Sequence, residues 1–134
     1  MIQIAALDHL VLTVGDISRT REFYQTVLGM TAVTFGDDRQ ALRYGQQKIN
    51  LHQAGASFAP HAQIPTPGSA DLCFLMTGSL DAAVDHLRTS GVLIIAGPVQ
   101  RTGATGMLLS IYIRDPDGNL IELSVPAGPS DDSG

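Results

Sequence analysis

Asp8-His9-Leu10-Val11-Leu12-Thr13-Val14 decides the reading of this chain. Apart from its first two residues and one Thr, it is an aliphatic run, the composition of a strand packed on a core. Gly15 and Asp16 follow. Asp16 can cap a helix over residues 17–28 by accepting a bond from an early helical N–H. Ile17, Tyr24, Val27 and Leu28 give that helix an apolar face, and Gly29 is its natural stop. Three short strands are expected next, at 31–35, 40–44 and 48–53, separated by the turns Gly36-Asp37-Asp38 and Gly45-Gln46.

The same order then returns. A strand is expected at 71–76, a helix over 80–88 capped by Ser79 and stopped by Gly91, and further strands near 93–96, 107–114 and 119–125. Asp71 lies 62 residues after His9 (71 − 9), and Gly91 lies 62 after Gly29 (91 − 29). The cap shifts by 63 (79 − 16), as one extra loop residue would produce. This is the signature of a duplicated supersecondary unit. The expected fold is α+β, with two βαβββ modules at about 7–53 and 69–125 forming a cupped mixed sheet. Residues 54–68 hold three prolines and two glycines and read as an irregular connector. A tail at 127–134 is expected to be disordered.

Size and composition narrow the function. The 134 residues suit one domain with a real core and are too few for two independent ones. A net charge of −5 with no Lys/Arg cluster leaves nucleic acid without an electrostatic footprint. No apolar run approaches a membrane span, and the first residues carry no secretory pattern. The single Cys73 excludes an intrachain disulfide framework. A cytoplasmic location fits these features.

The polar residues on otherwise apolar strands carry the chemistry. Strand alternation places His9 on one face with Val11 and Thr13. Aligning Ile49-Asn50-Leu51 with Ile121-Glu122-Leu123 makes Asn50 the first-half counterpart of Glu122, just as His9 pairs with Asp71. His52, two residues past Asn50, points the same way. Folding about a pseudo-twofold axis would gather these residues in one cavity. Imidazole and carboxylate donors suit Fe(II), Mn(II), Ni(II), Co(II) or Zn(II), and a three- or four-residue set leaves positions open for a substrate. The metal-ligand candidates are therefore His9, His52, Asp71 and Glu122. His61 and His86 are expected to face solvent. Cys73 shares the Asp71 face, and its simplest role is that of a buried small hydrophobe.

These segments resemble the vicinal oxygen chelate superfamily, which includes glyoxalase I, bleomycin-resistance and fosfomycin-resistance proteins and extradiol dioxygenases. The resemblance runs from about Leu7 to Val125. It rests on the Asp8–Val14 strand quoted above, on Phe23-Tyr24-Gln25-Thr26-Val27-Leu28-Gly29-Met30, and on Asp115-Pro116-Asp117-Gly118-Asn119-Leu120-Ile121-Glu122-Leu123. Lys48-Ile49-Asn50-Leu51-His52, Pro67-Gly68-Ser69-Ala70-Asp71-Leu72-Cys73 and Gly97-Pro98-Val99-Gln100-Arg101-Thr102-Gly103-Ala104 resemble the subgroup of glyoxalase domain-containing protein 5 and its bacterial relatives.

The resemblance implies a divalent metal, a small-molecule substrate that chelates it through two oxygens, and a homodimer. His9 matches the first-strand ligand and Glu122 the last-strand ligand. Asp71 stands where many members have a second His, and Asn50 where glyoxalase I has a Glu, so the four-ligand set of glyoxalase I is incomplete. His52 can complete the site from the same strand as Asn50. Glu122 is the candidate base, or Asp71 if it does not ligate, and Arg101, expected in a Gly-rich loop, can clamp an oxyanion. Gly103 and Gly106 would let that loop move. The implied activity is a metal-dependent lyase or isomerase of glyoxalase type. An extradiol-type dioxygenase and a metal-free, bleomycin-resistance-like binding protein are the alternatives. Fosfomycin-type addition lacks a clear phosphonate-binding cluster of Lys and Arg.

Overall fold

The structure, a computed structural model, describes residues 1–128. Ala127 and Gly128 are thus described, while the rest of the tail expected to be disordered lies outside the described residues. The chain divides into two compact units, Met1–Ser69 and the remainder from Ala70. Each unit is one βαβββ module, built on a four-stranded mixed sheet.

The first unit contains β1 (His9–Val14), α1 (Ile17–Thr26), β2 (Thr31–Phe35), β3 (Arg39–Tyr44) and β4 (Gln47–Gln53). Its sheet runs β1-β4-β3-β2, with β1 parallel to β4 and the other pairs antiparallel. The parallel pair needs a crossover, and α1 provides part of it. Asp16 caps α1 through a bond from the Arg19 N–H at 3.1 Å, worth about 1 kcal/mol. Gly29 at φ +69° ends the segment, and the Met30 N–H reaches back to the Tyr24 carbonyl at 3.0 Å. Leu12 and Val14, Leu42, and Ile49 and Leu51 are buried on one face of the sheet, with Tyr24 from the helix. Full burial of such side chains contributes about 1.5–3 kcal/mol each. Thr20 is buried on α1 as well, an inward polar residue outside the expected apolar face.

The second unit repeats the plan with β5 (Asp71–Leu75), α2 (Leu80–Thr89), β6 (Ala96–Thr102), β7 (Met107–Arg114) and β8 (Leu120–Pro126). The order is β5-β8-β7-β6, and β5 is parallel to β8. Ser79 caps α2 by accepting from the Ala82 N–H at 3.1 Å. At the other end Gly91 adopts φ +72°. The Val92 N–H then bonds Leu87 and the Gly91 N–H bonds Arg88, a Schellman closure. Leu80 and Leu87 of α2 are buried, as are Ile111, Ile113, Ile121 and Leu123 of the sheet.

One strand is displaced from its expected position. The apolar run Leu93-Ile94-Ile95 precedes β6, which starts at Ala96 and pairs only with β7. Leu93 and Ile95 are exposed. An edge strand tolerates Pro98, and the register shift between Ala96 and Val99 accommodates the Gly97-Pro98 pair. Arg101 consequently lies in a strand rather than a loop. Gly103–Gly106 is only the β6–β7 turn, closed by a Gly103 N–H bond to the Gly106 carbonyl at 2.8 Å.

The Asp115-Pro116-Asp117-Gly118 turn sets the register of β8. Asp115 Oδ1 accepts from the N–H groups of Asp117 and Asn119, both at 2.9 Å, and its Oδ2 accepts from Asn119 Nδ2 at 2.8 Å. Asn119 Oδ1 in turn accepts from the Ala70 N–H at 2.8 Å, tying the start of β8 to the start of β5. With side chains alternating, a slip of one residue would carry Glu122 to the opposite face.

Candidate functional site

In the first unit the candidate residues share the sheet face opposite α1. The register pairs His9 with Lys48, Val11 with Asn50 and Thr13 with His52. Across β3, Ala41 pairs with Asn50 and Arg43 with Lys48. His9 is half-exposed, and its Nδ1 lies 2.8 Å from Asp8 Oδ1. When Asp8 accepts the Nδ1 proton, Nε2 keeps the lone pair that a metal needs.

His52 is in a different situation. Only 3% of it is exposed, and neither Nδ1 nor Nε2 has a hydrogen-bond partner among the described residues. Asn50, one alternation away, is also buried, and its Oδ1 has no partner there either. An unsatisfied buried polar group costs about 1–3 kcal/mol, so several on one face call for a functional explanation. Burial, then the charge of Arg39 and then His61, hold the His52 pKa below the usual imidazole range. The ring is therefore neutral at pH 7, the form that binds metals.

Phe58, from the connector, packs edge-on against His52 with ring centroids 5.6 Å apart. The Arg39 guanidinium sits 4.8 Å from the Phe58 centroid. Sequence reasoning missed both residues. The available signal was that Phe58 is the only aromatic residue in 54–68. His61 and His86 are exposed, as expected.

In the second unit the equivalent face holds Asp71, Cys73, Ser110, Tyr112, Glu122 and Ser124. Cys73 pairs with Glu122 across β5 and β8, and Tyr112 and Ser110 pair with Glu122 and Ser124 across β7 and β8. Asp71 is exposed, two residues before Cys73 on the same face. Glu122 is fixed through one oxygen. Its Oε2 accepts from Ser110 Oγ at 2.7 Å and from Ser124 Oγ at 3.3 Å. Both serines are fully buried, and their hydroxyls are 2.6 Å apart.

Cys73 extends the chain, with Sγ 3.3 Å from Ser124 Oγ. It is exposed, which corrects the buried-hydrophobe expectation. Cys73 lies on β5, an edge strand, whereas the buried serines of the same face lie on the inner strands β7 and β8. Desolvation raises the thiol pKa, the Ser124 hydrogen bond opposes this, and the Glu122 charge raises it further. Arg101 donates from Nε to the Tyr112 hydroxyl at 2.9 Å, with the guanidinium 5.5 Å from the ring centroid. Tyr112 thus holds Arg101 on the Glu122 face, a role the expected loop position had hidden.

The donor chemistry fits a divalent metal. Among the described residues the His52 ring nitrogens have no hydrogen-bond partner, and His9, Glu122 and Asp71 add an imidazole and two carboxylates to the donor set. The candidates divide two and two between the units. Among the described residues, no group of three or more His, Cys, Asp or Glu side chains is gathered so as to hold a metal ion. No helix among these residues is long and apolar enough to cross a membrane.

Comparison with known proteins places this architecture. The chain is 59% identical over 118 residues to virulence protein STM3117 of Salmonella typhimurium, covering 88% of this chain and 82% of the relative. It is 54% identical over 123 residues to glyoxalase domain-containing protein RDO1 of Mycosarcoma maydis, covering 92% and 69%. The crystal structure of STM3117 superposes with a TM-score of 0.93, covering 94% of this chain and all of that one. At 20% identity, FosX, a fosfomycin resistance protein from Listeria monocytogenes solved with Mn(II) and sulfate, shows the shared fold at a TM-score of 0.65 over 94% of each chain. The family model for the glyoxalase/bleomycin resistance protein/dioxygenase superfamily matches residues 6–123, and the chain belongs to that superfamily.

Proposed function

We propose that the protein is a metal-dependent enzyme of glyoxalase type, acting as a lyase or isomerase on a small substrate that chelates through oxygen. The observation that carries this reading is His52, a buried neutral imidazole whose two ring nitrogens have no hydrogen-bond partner among the described residues. A purely structural histidine would satisfy at least one of them. His9, His52 and Glu122 hold the metal, and Asp71 is either a fourth ligand or the base. The exposure of Asp71 favours the second role. The two modules work as one domain, and the active form is a homodimer located in the cytoplasm.

When bound, the divalent ion supplies Lewis acidity to the substrate oxygens. The protein's own groups do the rest. Ser110 and Ser124 fix Glu122 Oε2 and so aim Oε1. Asp71 accepts a proton from the substrate. Arg101, held by Tyr112, faces the negative charge that develops as this proton leaves. Asn50 offers a side-chain amide on the His52 face to orient a substrate oxygen.

The donor set favours one second reading. Two histidines and one carboxylate are also the set of extradiol-type dioxygenases, which require Fe(II) or Mn(II). Oxygen uptake with a catechol probe separates that chemistry from isomerisation, which consumes no oxygen.

The test is metal analysis of protein purified without chelator, for wild type, His9→Ala, His52→Gln and Glu122→Gln. Near one metal per chain is expected in wild type, with loss in each variant and folding retained by circular dichroism. Full metal retention by all three variants, or a metal-free wild type that cannot be loaded, refutes the reading in favour of a metal-free binding protein.

A further inference from the structure

The open face of the first unit carries more positive charge than its fold requires. Arg39, Arg43 and Lys48 make up three of the chain's eight Lys and Arg residues, in a protein of net charge −5. Arg43 and Lys48 are directly opposed on antiparallel β3 and β4. Like charges in that relation destabilise a sheet. Lys48 Nζ lies 4.1 Å from the Phe35 ring centroid, and the Arg39 guanidinium lies 5.2 Å from the same centroid. The ring therefore draws two cations together. Among the described residues, no carboxylate forms an ion pair with any of the three.

Arg43 and Lys48 border a pocket of about 430 Å³, lined also by Val33, Phe35, Gln46 and Gln47 together with Asp8 and Thr34. Asp8 is its one carboxylate, and Asp8 Oδ1 is occupied by His9. The volume lies within the usual range for small-molecule sites. Val33 and Phe35 give the pocket an apolar part, Arg43 and Lys48 bring cationic donors and Gln46 an amide, while the Gln47 amide nitrogen donates to the Leu7 carbonyl at 3.1 Å.

We propose that this pocket binds the oxyanion of the substrate, making the substrate a small organic acid or phosphate ester with a compact apolar body. The inference rests on the function proposed above, because Lys48 is the register neighbour of His9. One strand spacing, about 4.8 Å, separates the two backbones. The substrate would thus bear its chelating oxygens and its anionic group close together, with its apolar part against Val33 and Phe35. An anion between Arg43 and Lys48 also relieves their mutual repulsion, which gives the like-charged pair a reason to exist.

The test uses three probes, inorganic phosphate, benzoate and the neutral isostere benzamide. Binding is measured by calorimetry and by thermal shift on wild type, Arg43→Gln, Lys48→Gln and the double variant, with and without added Mn(II). Phosphate or benzoate should bind wild type and raise its melting temperature, while benzamide should not. Each single variant should weaken the anion about tenfold or more, as expected for a hydrogen bond to a charged group. The double variant should lose both effects while keeping the wild-type metal content. A stronger response to phosphate than to benzoate identifies a phosphoryl ligand, and the reverse a carboxylate. Equal anion binding by wild type and the double variant, equal binding of benzamide, or no anion binding to metal-loaded wild type overturns the proposal. Loss of metal binding with anion binding intact instead removes the metal reading and leaves the anion pocket standing.

Discussion

Replacing Asn119 with Ala tests whether one buried side chain sets the register of the candidate site. Asn119 is 1% exposed. It donates to Asp115 Oδ2 and accepts from the Ala70 N–H, both at 2.8 Å. The bond to the carboxylate is worth about 1.5–3 kcal/mol and the one from the backbone about 0.5–1.5 kcal/mol. The expected destabilisation is therefore about 2–4.5 kcal/mol, a fall in melting temperature on the order of 10 °C for a chain of this size. Urea unfolding followed by circular dichroism would measure it, with m values compared to check two-state behaviour. Asn119→Asp sharpens the test. It preserves the acceptor for Ala70 but sets a second carboxylate against Asp115 Oδ2, so it should cost more than Ala despite its closer shape. A loss below about 0.5 kcal/mol for Ala, or an Asp variant milder than Ala, would refute the reasoning.

Two further predictions concern the candidate ligands. Ser110→Ala removes the 2.7 Å bond to Glu122 Oε2, and metal affinity measured by calorimetry should fall roughly 10–100-fold, as for other partners of metal ligands; unchanged affinity would show that Glu122 needs no such support. In metal-free protein, the folded pKa of His52 is depressed below its unfolded value, so the unfolded chain takes up the proton first as pH falls. Stability should decline below about pH 6.5, towards the folded pKa, and urea midpoints from pH 7.5 to 5 should show a shallower decline for His52→Gln than for wild type.

The fold was legible where local chemistry and burial agree. Caps at Asp16 and Ser79 and the stops at Gly29 and Gly91 mark both helices, and Met107–Arg114 follows its apolar run to the residue. β6 defeats the same logic. Leu93-Ile94-Ile95 has strand composition, but the ladder forms over the next seven residues because β7 pairs there, and an edge position makes Pro98 tolerable. Site legibility divides similarly. Alternation puts His9, Asn50 and His52 on one face and Asp71 and Glu122 on another, since period two follows from strand geometry alone. Burial does not follow from it. Asp71 and His52 were equal candidates in sequence, yet one is exposed and the other enclosed. The contact between Phe58 and His52 depends on the path of the connector, which no periodicity encodes.

Duplication gives the two modules one scaffold, and their polar faces have diverged in how they treat their donors. In the second unit Glu122 is backed by two buried hydroxyls, so its position is fixed before anything binds. In the first unit the His52 ring nitrogens and Asn50 Oδ1 are enclosed without hydrogen-bond partners among the described residues, leaving the cost of their burial in place. A fixed carboxylate lowers the ordering cost of binding, and an unpaired imidazole raises the gain when a partner is found. Two unsatisfied groups at about 1–3 kcal/mol each are a large fraction of the stability of a small domain. Metal loading should therefore raise the melting temperature of wild type by several degrees more than that of His52→Gln. An equal rise would mean that the buried histidine is structural and that the metal, if bound, is held without it.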